Sequence, residues 1–148
     1  MARIFWDTSA LVRGYAPGEL GGDRVERAIA DAAGNVHAIS RLLPTELASA
    51  LALKTRMGAL GAAERDESWA LFLGDLDKQY QVAELSESTW ELAQQLLFRH
   101  ALRAGDAIHL AAAILAAPAA LGELIFWTAD RRQAEAAQAE GLQVELVG

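Results

Sequence analysis

Short apolar runs with the length of β-strands alternate with helical segments from one end of this 148-residue chain to the other. The predicted strands span residues 3–6, 36–39, 82–85, 124–127 and 144–147. Strands that alternate with helices in this way form parallel sheets with helices packed on both faces. The pattern therefore predicts an α/β fold, with a mostly parallel central sheet of four to five strands flanked by helices.

The composition is that of one globular domain, which we expect to span residues 1–148. Hydrophobic residues make up 53% of the chain, which suffices for a substantial core. The chain has no cysteine, which rules out disulfides, thiolate catalysis and cysteine-ligated zinc. No apolar run reaches the roughly 18 residues of a membrane span, and the N-terminal segment lacks the layout of a signal peptide. We therefore expect a cytoplasmic protein.

The net charge of −7 argues against a protein that coats nucleic acid in general, because such proteins are basic. It leaves open an enzyme that holds nucleic acid through local arginines and a metal ion. Apart from Lys54 and Lys78, all 13 basic residues are arginines, whose side chains suit bidentate contacts to phosphate. A solvated surface accounts for most of these arginines equally well.

Asp7 directly follows the first predicted strand, and two hydroxyl residues, Thr8 and Ser9, come after it. Either hydroxyl residue can cap the next helix, which would leave Asp7 at the carboxyl end of the strand. Ligands of open α/β sheets bind at that edge. Asp7 is therefore a candidate site residue, although an acid at this position can also serve only to start the helix.

Two further acids follow predicted strands. Glu46 lies in the first turn or so of the helix after the second strand, and Asp130 comes after the fourth, where it can cap a helix. Because the carboxyl ends of parallel strands share one edge, we expect Asp7, Glu46 and Asp130 to converge. Each acid has an alternative explanation as a residue that favours a helix N-terminus.

Asp106 is the most informative acid, because it lies in the first turn of a predicted helix over 104–116 that is otherwise almost wholly apolar and is broken by Pro118. A buried ionised carboxylate is costly unless it is paired or coordinates a metal. Arg103 could form a local ion pair with Asp106. His109 shares a helix face with Asp106, and we interpret it as a packed helix residue rather than a ligand or a catalytic group.

A cluster of three or four carboxylates repels itself unless a cation lies among them. Ligation by oxygen alone favours Mg²⁺ or Mn²⁺. Such an ion lowers the pKa of a bound water, orients it and neutralises charge on a phosphate, which predicts in-line hydrolysis of a phosphodiester. Ser9 could support the site by a hydrogen bond to an acid or to a bound water, or it could act only as a helix cap.

The same residues fall in motifs that resemble those of the PIN-domain nucleases, and more narrowly those of the VapC toxins of bacterial and archaeal toxin–antitoxin operons. The motifs are Asp7-Thr8-Ser9-Ala10-Leu11-Val12, Pro44-Thr45-Glu46-Leu47-Ala48, Leu102-Arg103-Ala104-Gly105-Asp106-Ala107-Ile108-His109-Leu110-Ala111-Ala112-Ala113 and Thr128-Ala129-Asp130. They occur in the family's order over nearly the whole chain, and the segment that starts at Asp106 is the most specific.

The resemblance implies a PIN-like nuclease domain that is an Mg²⁺- or Mn²⁺-dependent endoribonuclease, commonly acting on tRNA or rRNA. It places Asp7, Glu46, Asp106 and Asp130 on the family's acidic positions and Ser9 on its supporting hydroxyl. We expect Asp7 and Asp106 to hold the metal, Asp130 to support it directly or through water, and Glu46 to position or deprotonate the attacking water. The resemblance also implies a homodimer that a small antitoxin protein silences.

Two features depart from the family's pattern. Gly105 occupies a position where a larger residue is common, and it lies beside Asp106 at the start of a helix. The net acidity leaves the docking of RNA to few basic residues. The candidates are Arg13, Arg103, Arg131 and Arg132.

Two alternative functions belong to other classes. A phosphotransfer domain of the receiver or haloacid-dehalogenase type would phosphorylate Asp7, but dehalogenase-like enzymes require an aspartate where this chain has Ser9. Both types also require a lysine near the site, and neither Lys54 nor Lys78 follows a predicted strand. A non-catalytic module would keep the fold and bind only a protein partner, and metal binding distinguishes it from a nuclease.

Overall fold

Five parallel strands form the central sheet in the computed structural model, which describes residues 2–31, 33–117 and 124–148. The strands are β1 (Ala2–Trp6), β2 (Asn35–Ser40), β3 (Tyr80–Ala83), β4 (Leu124–Thr128) and β5 (Gln143–Leu146). Their order across the sheet is β3-β2-β1-β4-β5, and every neighbouring pair is parallel. The α/β fold with a parallel central sheet is therefore confirmed.

Helices connect the strands. They are α1 (Thr8–Tyr15), α2 (Gly22–Ala30), α3 (Leu43–Arg56), α4 (Ala62–Gln79), α5 (Glu87–Arg99), α6 (Ala104–Ala116) and α7 (Arg131–Ala139). Within the described ranges, no helix combines the length and the apolar character that crossing a membrane requires.

The hydrophobic core lies on both faces of the sheet, because side chains of β1 alternate between them. Ile4 and Trp6 belong to a cluster that includes side chains of α1, α2, α3 and α4. Phe5 belongs to a second cluster, formed with Phe126 of β4 and side chains of α5, α6 and α7. Since β1 is buried on both faces and flanked by strands on both edges, it is the most enclosed element of the molecule.

The strand order places the candidate acids. The chain runs outward from β1 to β2 and β3, then returns to the other side of β1 to form β4 and β5. The order therefore reverses between β1 and β4, where ligands of open α/β sheets bind beyond the carboxyl ends of the strands. Asp7 directly follows β1, and Asp130 comes two residues after β4.

The predicted cap of α1 is wrong, as are the bounds of the third strand, which spans Tyr80–Ala83 and not residues 82–85. One prediction falls outside the described residues. Asp7 itself caps α1, since its side chain accepts a hydrogen bond from the Ser9 backbone, so neither Thr8 nor Ser9 is the cap. The third strand starts at Tyr80 and not at residue 82, because the chain passes from α4 into β3 without a turn residue between them. The predicted helix over 104–116 is confirmed, whereas Pro118 lies outside the described residues.

The chain's two tyrosines form a buried polar contact between α1 and β3. The hydroxyl of Tyr15 lies 2.6 Å from that of Tyr80 and donates to a carboxylate oxygen of Asp75, also at 2.6 Å. Burial raises the pKa of both tyrosines above the ordinary value of 10.0. Both hydroxyls therefore stay protonated in the folded protein at a pH where the unfolded chain loses its protons.

We predict that the free energy of unfolding decreases as the pH rises above 10. A raised folded pKa contributes stability that is complete below the unfolded pKa and lost above it, by about 1.4 kcal/mol per tyrosine at pH ~11. Chemical denaturation at about pH 8 and 11 would measure the decrease, which should be smaller in the double variant Tyr15→Phe, Tyr80→Phe. An equal decrease in both proteins would contradict the prediction.

Candidate active site

The carboxylate of Asp7 is buried at the carboxyl end of β1, with 2% of the residue exposed. Its Oδ2 accepts hydrogen bonds from the hydroxyl of Ser9 at 2.5 Å and from the Ser9 backbone at 3.0 Å. Its Oδ1 accepts a hydrogen bond from the side-chain amide of Gln133 at 2.9 Å. These bonds compensate for the loss of hydration that burial of a carboxylate entails.

A buried network ties this carboxylate to the neighbouring elements. The side chain of Gln133, in α7, donates also to the backbone carbonyl of Asp106 at 3.2 Å and accepts from the Thr128 hydroxyl at 2.6 Å. The Ser9 hydroxyl accepts from the backbone amide of Ala129 at 2.9 Å. Asp7 is therefore held in one orientation by groups from α1, β4 and α7.

Glu46 lies in the first turn of α3, and one of its carboxylate oxygens has two partners. Its Oε1 accepts from the Thr8 hydroxyl at 2.7 Å and lies 2.5 Å from Nε2 of His109. Burial opposes ionisation of Glu46, but the hydrogen bond and the charge of His109, together with the Thr8 hydroxyl, lower its pKa below the ordinary value. The charge of His109 therefore balances that of the Glu46 carboxylate.

His109 is completely buried on α6, and both of its ring nitrogens have partners. Its Nδ1 lies 2.9 Å from the hydroxyl of Ser40, at the end of β2. Burial disfavours the charged ring, but the hydrogen bond to Glu46 and the charges of Asp7, Glu46 and Asp106 outweigh burial and raise the pKa of His109. Because an ionised carboxylate only accepts hydrogen bonds, Nε2 carries the proton in the bond to Glu46.

Unlike the other three acids, Asp106 has no hydrogen-bond donor to its side chain among the described residues. Burial, followed by the negative charges of Asp7, Asp130 and Glu46, raises its pKa from 3.8 to about 6, although His109 acts in the opposite direction. Within the described residues its side chain accepts no hydrogen bond, and Arg103 does not form the ion pair that the sequence allowed. Asp7, Asp130 and Glu46 are thus each close enough to Asp106 to disfavour its charge.

Asp130 caps α7, as predicted. Its Oδ1 accepts from the backbone amides of Arg132 at 2.9 Å and Gln133 at 3.4 Å. Capping by itself explains an aspartate at this position. Its charge nevertheless raises the pKa of Asp106, so Asp130 belongs to the same electrostatic group.

A cavity of about 830 Å³ opens beside these acids. It is lined by Leu97, His100, Ala101, Leu102, Arg103, Asp106, Asp130, Arg131, Arg132 and Glu135. Three of the four arginines proposed to contact RNA therefore line the cavity that contains Asp106. The fourth, Arg13, lies elsewhere, where its guanidinium donates to the backbone carbonyls of Ser9 and Leu20.

The donor chemistry of the site fits a hard divalent cation. All four acids offer oxygen, and burial together with the negative charge of the other acids raises the pKa of Asp106, so a cation would stabilise its ionised form. Among the described residues, no three histidine or acidic side chains are gathered closely enough to hold a metal ion. Asp7 and Asp106, with Asp130 beside them, are the residues that could hold the ion.

Four residues of this network were absent from the predicted site or assigned no role in it. His109 was interpreted as a packed helix residue, although its position three residues after Asp106 on an apolar helix was a usable signal. Thr8, Ser40 and Gln133 carried no comparable signal, because each contacts a residue that is distant in sequence. Thr8 contacts Glu46, Ser40 contacts His109, and Gln133 contacts Asp7.

Residues 4–139 match the model of the PIN domain family, and the chain therefore belongs to that family. The matched residues run from β1 to α7 and so include all four acids of the site. It confirms the resemblance that the acidic motifs suggested. No curated protein matches the chain.

Solved structures share the fold at low sequence identity. One is VapBC2 from Rickettsia felis bound to a DNA fragment from its promoter, with a TM-score of 0.66, 12% identity and 99% of each chain covered. Another is VapC20 from Mycobacterium tuberculosis, described as a sarcin-ricin loop cleaving toxin, with a TM-score of 0.65, 20% identity, and 94% of this chain and 95% of that chain covered. A third is DNA-bound VapBC from Salmonella typhimurium, with a TM-score of 0.64, 14% identity and 98% of each chain covered.

We predict that Asp106→Asn stabilises the metal-free protein at about pH 8. The folded pKa of about 6 exceeds the ordinary 3.8, so the folded state loses stability as the pH rises through this interval. Asparagine removes the charge that burial and the neighbouring acids disfavour. After an allowance for solvent screening, the free energy of unfolding in EDTA should increase by about 1–2 kcal/mol.

Chemical denaturation at two pH values tests this prediction. The gain should shrink towards about pH 4, where the wild-type carboxyl is protonated in the folded protein. Asp77→Asn is the matched control, because Asp77 is an exposed residue of α4. A gain from Asp106→Asn of equal size at both pH values would show that removal of the Asp106 charge is not its cause.

Proposed function

We propose that this protein is a metal-dependent endoribonuclease that acts in the cytoplasm as the toxin of a toxin–antitoxin pair. The observation that carries the proposal is the uncompensated carboxylate of Asp106, which lines a cavity together with Asp130 and three arginines. A cation would compensate the negative charge of the acids, and a phosphate would compensate the positive charge of the arginines. Membership of the PIN domain family supports this assignment.

The proposed roles follow from where each acid lies. Asp7 and Asp106 hold Mg²⁺ or Mn²⁺, and Asp130 supports the ion directly or through water. When bound, the ion supplies charge neutralisation at the phosphate and a lowered pKa for water. Ser9 keeps Asp7 oriented through its two hydrogen bonds to Oδ2.

Glu46 positions or deprotonates the attacking water. Its Oε1 is occupied by Thr8 and His109, whereas Oε2 accepts no hydrogen bond from the described residues and can receive one from water. In the reaction the water oxygen forms a bond to phosphorus, its proton passes to a base, and the opposite phosphorus–oxygen bond breaks. The oxygen that leaves takes up a proton from solvent, so the cut RNA has one phosphate end and one hydroxyl end.

The arginines of the cavity provide contacts to the RNA backbone. Arg103, Arg131 and Arg132 form no ion pair within the described residues, so their guanidinium groups are available for phosphate. We propose tRNA or rRNA as the substrate, in line with the description of VapC20 as a sarcin-ricin loop cleaving toxin. Arg13 stays a weaker candidate for RNA contact, because backbone carbonyls already occupy its guanidinium.

We also propose that the protein forms a homodimer and binds a small antitoxin protein. The shared fold with VapBC proteins from two organisms supports the antitoxin partner. An antitoxin that covers the cavity would meet both its acids and its arginines.

One observation favours a second candidate, a PIN-fold interaction module without catalytic activity. Hydrogen bonds from the protein already occupy oxygens of Asp7 and Glu46, and no three of the described acidic or histidine side chains form a ready metal cluster. Such a module would bind a protein partner and would need no cation. Metal binding therefore separates the two candidates.

Titration calorimetry with Mn²⁺ is the first test, because it needs no RNA. Wild type and Asp77→Asn should bind Mn²⁺ saturably, whereas Asp106→Asn should lose binding, since one of the two main ligands is gone. Circular dichroism would confirm that all three proteins are folded. Absence of binding in the wild type would favour the interaction module.

We predict that Asp7→Asn and Asp106→Asn each abolish RNA cleavage without unfolding the protein. Each change keeps the size of the side chain and removes an anionic ligand, so the loss should arise from the metal site. Cleavage of purified tRNA and of ribosomes with Mn²⁺ would be followed on gels, with Asp77→Asn as the active control. Full activity in either site variant would refute the assignment of that ligand.

A further inference from the structure

Glu46 lies unusually close to the backbone of α6 at Gly105. A Cβ atom placed on Gly105 would be only 2.7 Å from Oε2 of Glu46. Real Cβ atoms essentially never approach a neighbour so closely, so any other residue at position 105 would force one of the two groups to move. Gly105 is not among the glycines with positive φ, so its backbone conformation does not require glycine. Instead, the close approach of Glu46 leaves no room for a larger residue at position 105 as long as Glu46 keeps its position.

The other oxygen of Glu46 is held by two hydrogen bonds, one of them from the same helix as Gly105. Oε1 takes hydrogen bonds from Thr8 of α1 and from Nε2 of the buried His109. His109 is itself anchored through Nδ1 to the hydroxyl of Ser40, so its ring cannot turn without loss of that contact. The carboxylate is therefore confined, because two donors hold Oε1 while Oε2 lies against the backbone of Gly105.

Asp106 is the next residue along α6, and its pKa responds to the charge of Glu46. Confinement of Glu46 thus places its unoccupied Oε2 beside the residue that we assign to the metal. The methyl group of an alanine at position 105 would occupy the space of Oε2. Glu46 would then have to rotate away and lose its hydrogen bonds to Thr8 and His109.

We propose that Gly105 and His109 are positioning residues that together fix Glu46 for the hydrolysis of RNA. His109 sets the direction of the carboxylate, and Gly105 provides the space that the second oxygen occupies. The inference rests on the proposed function for its catalytic consequence, whereas the confinement itself is a property of the metal-free protein.

The effect of Gly105→Ala on stability separates positioning from a merely structural role. The nearest atom to the new methyl group is the end of a flexible side chain, so rotation of Glu46 relieves the clash without opening the core. Alanine also favours the helix over glycine. The melting temperature should therefore stay within about 4 °C of the wild type or rise.

Kinetics of RNA cleavage provide the second readout. Gly105→Ala should lower kcat by roughly 100-fold, as expected when a reacting group is displaced by about 1 Å. KM for RNA should change by less than about twofold, because the arginines of the cavity are untouched. Gly74→Ala is the matched control: Gly74 lies within α4, and a Cβ there meets no atom within 4 Å.

The double variant Glu46→Gln, Gly105→Ala tests whether the glycine acts through Glu46. If it does, the double variant should cleave RNA as slowly as Glu46→Gln alone, because the group that alanine displaces is already inactive. A further loss of the same size as in the Gly105→Ala single variant would overturn the proposal.

Nuclear magnetic resonance of the metal-free protein, with ¹⁵N-labelled histidine, tests the confinement without RNA or metal. The hydrogen-bonded proton on Nε2 of His109 should give a low-field resonance, assigned by its absence in His109→Gln. It should persist in Gly74→Ala and disappear in Gly105→Ala.

The outcomes distinguish this inference from the proposed function. Wild-type cleavage together with a retained low-field resonance in Gly105→Ala would overturn the inference and leave the nuclease assignment intact. If the wild-type protein cleaves no RNA, the proposed function fails and the resonance alone decides whether Gly105 confines Glu46. Retention of the resonance in Gly105→Ala would then overturn the inference as well.

Discussion

The buried carboxylate of Asp7 is the constraint on which the rest of the site depends. A carboxylate at the end of the most enclosed strand is tolerated only if its oxygens find donors, and Ser9 and Gln133 provide them. Because these donors come from α1 and α7, satisfying one charge also fixes how two helices meet the central strand. The same amide of Gln133 reaches the backbone of Asp106, so α6 is tied to the network too.

The four acids differ in how their charge is compensated, and this difference gives the site its chemical character. Asp7 has neutral donors, Glu46 has a histidine, and Asp130 has the amides of a helix N-terminus. Asp106 has no side-chain partner among the described residues, and the other acids raise its pKa. Negative charge is therefore least satisfied at the edge of the cavity, beside the arginines that line it. That is the position where a cation and a phosphate would each lower the electrostatic energy.

The elements with the clearest apolar pattern were predictable. The helix over 104–116 was predicted with its observed bounds, because apolar residues dominate it and Pro118 follows two positions after its end in the sequence. The capping of α1 was assigned to the wrong residue, since Asp7, Thr8 and Ser9 are all good caps and only the folded backbone selects one. The start of β3 was misplaced because Tyr80 and Gln81 suit either a helix end or a strand.

The sequence by itself determined the class of fold and the edge of the sheet at which the acids would meet, because periodicity and parallel topology depend on local pattern. Only the tertiary structure decided which groups satisfy those acids. Gln133 reaches Asp7 across 126 positions of the chain, and His109 reaches Glu46 across 63. Hydrogen bonds form within a few tenths of an ångström, and the relative placement of distant helices on that scale arises from packing of the whole core rather than from any local segment.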